Sequence, residues 1–339
     1  MEYILTQLKN ILSIPSPTGF TAAAAKYTAD AFRELGYDPI ITRKGGVLVE
    51  LGGEGNALLL AAHLDTLGAM VHEVKSNGRL KAARVGGLPF SCIEGENCQV
   101  FTRDGKVYDG TFQLNNPSVH VNTDHTNTKR DADNMEVVLD EKVSSKAETL
   151  ALGISGGDYI CFDPRTVITE SGFIKSRFLD DKLSVAILLG FAKHLKDTGA
   201  KLKRKVYVYC TVYEEVGHGG CAAIPSDVEE MICVDMGCVG EGLTCTEHQV
   251  SICAKDSGGP SDYGITTALV NLCKANGLDY AIDIYPSYMS DADAALAAGV
   301  DVRHCAIGAG VYASHCYERA HVDGVRNTLE LIKAYTVEG

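Results

Sequence analysis

Seven residues of this 339-residue chain could together build a hydrolytic metal centre: His63, Asp65, Asp180, Glu214, Glu215, Asp235 and His315. His63-Leu64-Asp65 closes the apolar run that starts at Ala57. Alternation along an extended segment points His63 and Asp65 to one side, so the aspartate can accept a hydrogen bond from the imidazole and orient it toward a metal. Taken alone, the pair fits a purely structural contact equally well. Asp180-Asp181 stands ahead of an apolar stretch and reads either as a helix cap with a solvated neighbour or as a source of a bridging carboxylate. One carboxylate can span two metals about 3.5–4 Å apart.

Glu214-Glu215 follows the strand-like run Lys205 to Val212. Two glutamates at the end of a buried strand repel each other unless one is paired, protonated or coordinated, whereas at a strand end that has reached solvent they need no partner. The chemical reading divides the labour. Glu215 ligates, while Glu214 faces a bound water, takes its proton and later delivers it to the leaving amine. Asp235 ends the apolar run from Met231, and His315 lies near the C-terminus. A lone aspartate is usually a cap and a lone histidine usually packed. The set says more than its members, because imidazoles and carboxylates at successive strand ends supply donors that zinc, cobalt or manganese accept. Asp180, Glu215 and Asp235 carry about three negative charges, which two divalent cations offset with a small positive remainder favouring a bound hydroxide.

Such residues need a frame. Met1 to Pro15 has helical spacing of Ile4, Leu5, Leu8, Ile11 and Leu12 and lacks the features of a signal peptide. A helix is expected from Thr21 to Leu35, capped by Thr18 or Thr21 and ended by Gly36. Strands are expected at Ala57–Ala62, Val206–Val212 and Met231–Val234, and helices at Ser184–Leu195 and Ile265–Ala275. Apolar strands alternating with helices predict an α/β fold with a mostly parallel sheet covered on both faces. Thr66 to about Lys175 is too long for a crossover, and its turn signals Asn77-Gly78, Asp104-Gly105 and Ser171-Gly172 predict an inserted β-rich domain. The expected division is therefore 1–66 with 176–339 as the catalytic domain and 67–175 as the insertion, in which His120–Asp133 is a loop.

Composition narrows the classes. A net charge of −13 argues against nucleic-acid binding, which needs clustered Lys and Arg. No apolar run reaches the roughly 20 residues that span a bilayer, so no membrane partner is expected. Twelve scattered cysteines without a Cys-x-x-Cys pair read as reduced, mostly packed thiols, which favours the cytoplasm. Gly153, Gly156 and Gly157 do not open a strand-to-helix turn with nucleotide-binding spacing.

With these residues in order, the chain resembles the tetrahedral aminopeptidases, a family of glutamyl, leucyl and lysyl aminopeptidases among the co-catalytic zinc exopeptidases. The likeness rests on Pro15-Ser16-Pro17-Thr18-Gly19, His63-Leu64-Asp65, Leu179-Asp180-Asp181-Lys182, Glu214-Glu215-Val216-Gly217, Val234-Asp235, Ser290-Asp291-Ala292 and Ser314-His315. It implies one metal on His63, Asp180 and Asp235, a second on Asp180, Glu215 and His315, with Asp180 bridging, Asp65 behind His63 and Glu214 as base. It further implies peptide substrates with a free N-terminus, attack by a dimetal-bound hydroxide, a PDZ-like insertion that mediates dimerisation, and a homo-oligomer built as a tetrahedral dodecamer. Lys182 stands where relatives commonly have Arg, and Tyr312-Ala313-Ser314-His315 replaces the usual Tyr-x-His-Ser. The same centre could instead serve a deacylase or a carboxypeptidase, since a fold does not fix specificity. A catalytically silent assembly scaffold is the remaining alternative, and it has no need of Glu214 or the ligands.

Overall fold

The computed structural model describes residues 1–338, which divide into two compact units. One comprises Met1–Thr66 with the chain from Arg165 onward; the other is Leu67–Pro164.

The larger unit is a helix-flanked sheet of eleven strands. Its centre is parallel: Val206–Thr211, Ala57–His63, Val228–Val239 and Arg303–Tyr312 lie side by side in that order. Their buried stretches are largely apolar, Ala57–Ala62 entirely so, as strands covered on both faces must be. Side chains alternate across Ala57–His63, so Leu58, Leu60 and Ala62 enter one apolar cluster while Ala57, Leu59 and Ala61 enter another. The first cluster packs against helices Glu2–Leu12, Ala22–Glu34 and Leu179–Thr198. The second takes Ala292 and Ala295 from helix Asp291–Ala297.

The sheet is mixed, which corrects the mostly parallel expectation. Val47–Gly52, Val250–Lys255 and Glu318–His321 all run antiparallel to the central strands they meet. The reason is local. Short hairpin strands, among them Ile40–Ile41 and Val167–Ile168, extend both sides of the parallel core by tight turns rather than crossovers. One of those turns is Ser171-Gly172, where Gly172 has φ 90° between Val167–Ile168 and Phe173–Ser176. Phe173–Ser176 pairs with Glu318–His321, so the stretch from Arg165 to Lys175 joins the larger unit instead of the insertion.

The smaller unit is a closed barrel in which every neighbouring pair is antiparallel. Gly78 and Gly105, with φ of 84° and 83°, make the turns of two of its hairpins. The rings of Phe90, Phe112 and Phe162 meet at 5.0 and 5.8 Å inside it. Residues 120–133 form turns without strand or helix between strands Val107–Leu114 and Met135–Leu139. Among the described residues no helix is long and apolar enough to cross a membrane.

Candidate active site

Parallel strands deliver their carboxyl ends to one edge of a sheet, and the residues singled out above gather there. His63 is the last residue of its strand and is buried. Its Nε2 lies 3.0 Å from Asp180 Oδ1 and 3.6 Å from Glu214 Oε2. Asp180 sits in a non-helical entry to the helix Leu179–Thr198, and its other oxygen, Oδ2, lies 3.7 Å from His315 Nε2. Glu215 Oε2 is 3.6 Å from that same nitrogen. The Asp180 carboxylate therefore presents one oxygen to each imidazole.

Asp235 differs from its expected position. The strand does not stop there but continues to Val239, paired with Arg303–Tyr312 along its length. Pairing with the strand of His63 ends at Cys233↔Ala61, so Asp235 stands where those two strands part. His63, Asp180 and Asp235 offer donor atoms all within 4.8 Å of one another.

Asp65 also acts differently. His63 Nδ1 pairs with the main-chain oxygen of Asp65 at 2.9 Å, while the nearest carboxylate oxygen is 3.8 Å away. The carboxylate instead accepts from Thr18 Oγ1 at 2.6 Å and from the main-chain N–H groups of Glu214 and Glu215 at 3.1 and 3.3 Å. It anchors the turn that carries both glutamates. Thr18, expected as a possible helix cap, is spent on this contact.

Glu318 was not among the residues read as functional. Its buried carboxylate accepts from the main-chain N–H of Asp180 through Oε2 and of His315 through Oε1, each at 3.1 Å. One side chain thereby fixes the backbones beneath two others. The only signal was its position three residues after His315. Asp181 is a second omission: its Oδ2 accepts from the His63 N–H at 3.1 Å. Ser314 completes the surround, donating to Asp180 Oδ2 at 2.9 Å.

The backbone is strained where these groups sit. Of the six non-glycine residues with positive φ among the described residues, Phe178, Tyr213, Ala313 and His315 lie at or within two residues of Asp180, Glu214, Glu215 or His315. Such conformations cost about 1–3 kcal/mol each and concentrate at functional sites.

The electrostatics define what the cluster can hold. Burial pushes Glu214 and Glu215 well above the usual carboxylate range, and neighbouring carboxylates add to it. Asp235 is pushed up to about 7 by burial and by Asp180. Asp180 is lowered: burial opposes ionisation, but the hydrogen bond and charge of His63 prevail. Burial would lower His63, yet Glu214, Asp180 and Asp235 raise it well above its ordinary value. Without cations, the cluster must retain protons to limit repulsion among buried carboxylates. Divalent metals can take the place of those protons, and the imidazole-and-carboxylate donor set fits them.

The family model for M42 glutamyl aminopeptidases matches residues 45–331. The aminopeptidase candidate YhfE of Bacillus subtilis (strain 168) is 43% identical over 330 residues, covering 97% of this chain and 95% of that protein. The Glutamyl aminopeptidase of Lactococcus lactis subsp. cremoris (strain MG1363) is 26% identical over 64% of this chain and 61% of its own. Among solved structures, the Pyrococcus horikoshii TET1 peptidase, described as assembling into a tetrahedron or a large octahedral shell, superposes with a TM-score of 0.85 at 22% identity, covering 98% of both chains. Aminopeptidase APDkam598 from Desulfurococcus kamchatkensis gives a TM-score of 0.88 at 22% identity over 100% of this chain and 95% of that one.

Proposed function

This chain belongs to the M42 glutamyl aminopeptidase family, and we propose that it is a metal-dependent aminopeptidase releasing N-terminal residues from peptides with a free α-amine. The observation that carries this reading is the Asp180 carboxylate, with His63 Nε2 at 3.0 Å from one oxygen and His315 Nε2 at 3.7 Å from the other. His63, Asp180 and Asp235 would hold one divalent cation, and Asp180, Glu215 and His315 a second. Zinc suits these donors best, and cobalt or manganese also fits. When bound, such ions supply Lewis acidity toward the scissile carbonyl and lower the pKa of water.

The remaining chemistry belongs to the chain. Glu214 Oε2 takes a proton from the attacking water and returns it to the nitrogen of the leaving amine. Asp65 holds the Glu214 and Glu215 N–H groups, so the base and its neighbour move as one turn. His63 keeps Nε2 toward Asp180 because Nδ1–H donates to the Asp65 carbonyl.

The residues of unit Leu67–Pro164 are assigned to assembly, in the role that a PDZ-like dimerisation domain plays in the tetrahedral enzymes. The protomers would form a homo-oligomer, a tetrahedral dodecamer by analogy with the TET assemblies.

The test is a screen of metal-reconstituted protein against matched free-amine and N-acetylated aminoacyl substrates. Cleavage of the free-amine series is expected; preference for the blocked series would overturn the reading. In the same assay Glu214→Gln should retain metal while turnover falls about 100-fold or more.

A further inference from the structure

A second group of metal-type donors lies in the larger unit, away from the Asp180 cluster. His248 precedes strand Val250–Lys255, His321 ends strand Glu318–His321, and Asp323 sits in the first turn of helix Val322–Thr336. Each offers one donor atom, and the three atoms lie within 4.8 Å of one another. Asp323 Oδ2 is 3.1 Å from His321 Nδ1 and 3.6 Å from His248 Nδ1. Donors about 2.0–2.1 Å from a tetrahedral zinc stand roughly 3.3–3.4 Å apart. The two observed separations bracket that spacing.

The rings are held in place. Phe173 meets both imidazoles edge-on, at 5.7 Å for His248 and 4.8 Å for His321. His321 Nε2–H donates to the Ser171 carbonyl oxygen at 2.8 Å, which leaves the lone pair on Nδ1. A metal-binding histidine is commonly fixed in this way, through its other nitrogen. The Nδ1 lone pair accepts the Asp323 N–H at 3.1 Å and also faces the Asp323 carboxylate. Two acceptors that close favour a positive charge between them. Arg326 holds the other carboxylate oxygen, Oδ1, at 2.9 Å and so turns Oδ2 toward the imidazoles. Arg319 lies over the Phe173 ring and is engaged by Glu247 at 3.3 Å.

We propose that His248, His321 and Asp323 form a separate binding site for a divalent transition metal of the zinc or cobalt type, with water completing a tetrahedral set. Two imidazoles and one carboxylate do not suit calcium or magnesium, which take oxygen ligands. The bound ion takes over the His321 lone pair from the Asp323 N–H and ties the loop of His248 to the helix start.

The site is tested on the full chain, stripped with chelator and titrated with Co²⁺, with bound metal counted and the visible spectrum recorded. Wild type is expected to bind one equivalent more than either His248→Ala or Asp323→Asn, with a tetrahedral cobalt band in the difference spectrum and unchanged peptidase turnover. His248 is half-exposed, and Asp323→Asn keeps the main-chain N–H that His321 caps. Equal stoichiometry in all three proteins would overturn the proposal, as would a His321 NMR titration unaffected by zinc. Because the readout is a difference between variants, it does not depend on how many ions the Asp180 cluster takes.

Discussion

The barrel and the strand-end cluster of the larger unit treat buried carboxylates in opposite ways, although elsewhere the larger unit also pairs its buried Glu230 with Arg204 and Arg303. In the barrel, the buried Glu136 is paired with Lys75 through one oxygen and Arg79 through the other. In the larger unit, Asp180, Glu214 and Glu215 have among the described residues only the imidazoles of His63 and His315 as charged partners within 4 Å. A lysine is close in sequence but turns away: Lys182 Nζ donates to the carbonyls of Ile11 and Ile14 at 3.0 and 2.7 Å, fastening the first helix. Topology explains part of the contrast. Antiparallel neighbours send successive strand ends to opposite rims, whereas four parallel strands send theirs to one edge. Where the chain provides its own cations, as at Glu136, it has built an ion pair. Where it gathers carboxylates around two histidines, it has left the charge for something else to balance.

That contrast can be broken most decisively at Asp180. Asp180→Ala removes the carboxylate shared by both imidazoles, and turnover should fall by more than about 100-fold, beyond the 10–100-fold typical of losing a group behind the ligands. Metal content should fall with it. Turnover within tenfold of wild type would mean that the cluster is an ordinary network of protonated acids.

Glu318→Gln sharpens the same comparison one layer out. The amide keeps one acceptor for the two main-chain N–H groups that the carboxylate now serves. Metal affinity should drop about 10–100-fold, and added metal should restore most of the turnover. A loss that excess metal does not repair would place Glu318 in the chemistry itself.

The barrel supplies the control. Glu136→Gln weakens the pairing of two partly exposed cations and should cost about 1–2 kcal/mol of barrel stability. The readout is the urea dependence of amide exchange at residues such as Phe112 and Val137, with turnover unchanged at low urea. Equal loss of activity and barrel protection would erase the distinction between the two kinds of carboxylate.

How far the sequence anticipated this site follows from what each residue touches. His63, Glu214 and Glu215 were legible because apolar runs lead into them, and such runs become buried parallel strands. The extent of Asp235's strand was not, because the apolar run from Met231 that marks it ends at Asp235. It continues because Gly237 pairs with Gly310, and a side chain on neighbouring Gly308 would meet the Asp235 main-chain oxygen at 1.9 Å, so only glycine allows the strands this close. Asp65 was legible as a partner of His63 but not as the anchor of Glu214 and Glu215, which are 149 and 150 residues away. Glu318 acts only on main-chain groups, which leave no mark in side-chain spacing. The mixed sheet escaped because Val47–Gly52, Val250–Lys255 and Glu318–His321, the strands antiparallel to the core, were not among the runs read as strands, and two-residue strands such as Val167–Ile168 carry no period to read.

The smallest expected effect concerns a carboxylate of an intermediate kind. Asp256 is buried and accepts from the N–H groups of Gly258 and Gly259 at 2.8 and 3.1 Å. Burial raises its pKa first and the nearby Asp293 raises it further, while the two N–H groups pull the other way. An acid whose folded pKa is raised contributes stability below its unfolded pKa, near 4, and loses it as pH rises through the folded value. The stability of wild type relative to Asp256→Asn should therefore decline as pH is raised from below about 4 into the range where Asp256 ionises in the folded chain. Urea midpoints of both proteins across that range measure the slope. A difference that stays flat would show that the glycine N–H groups already stabilise the charged form enough, making Asp256 a carboxylate satisfied by the chain alone, as Glu136 is by Lys75 and Arg79.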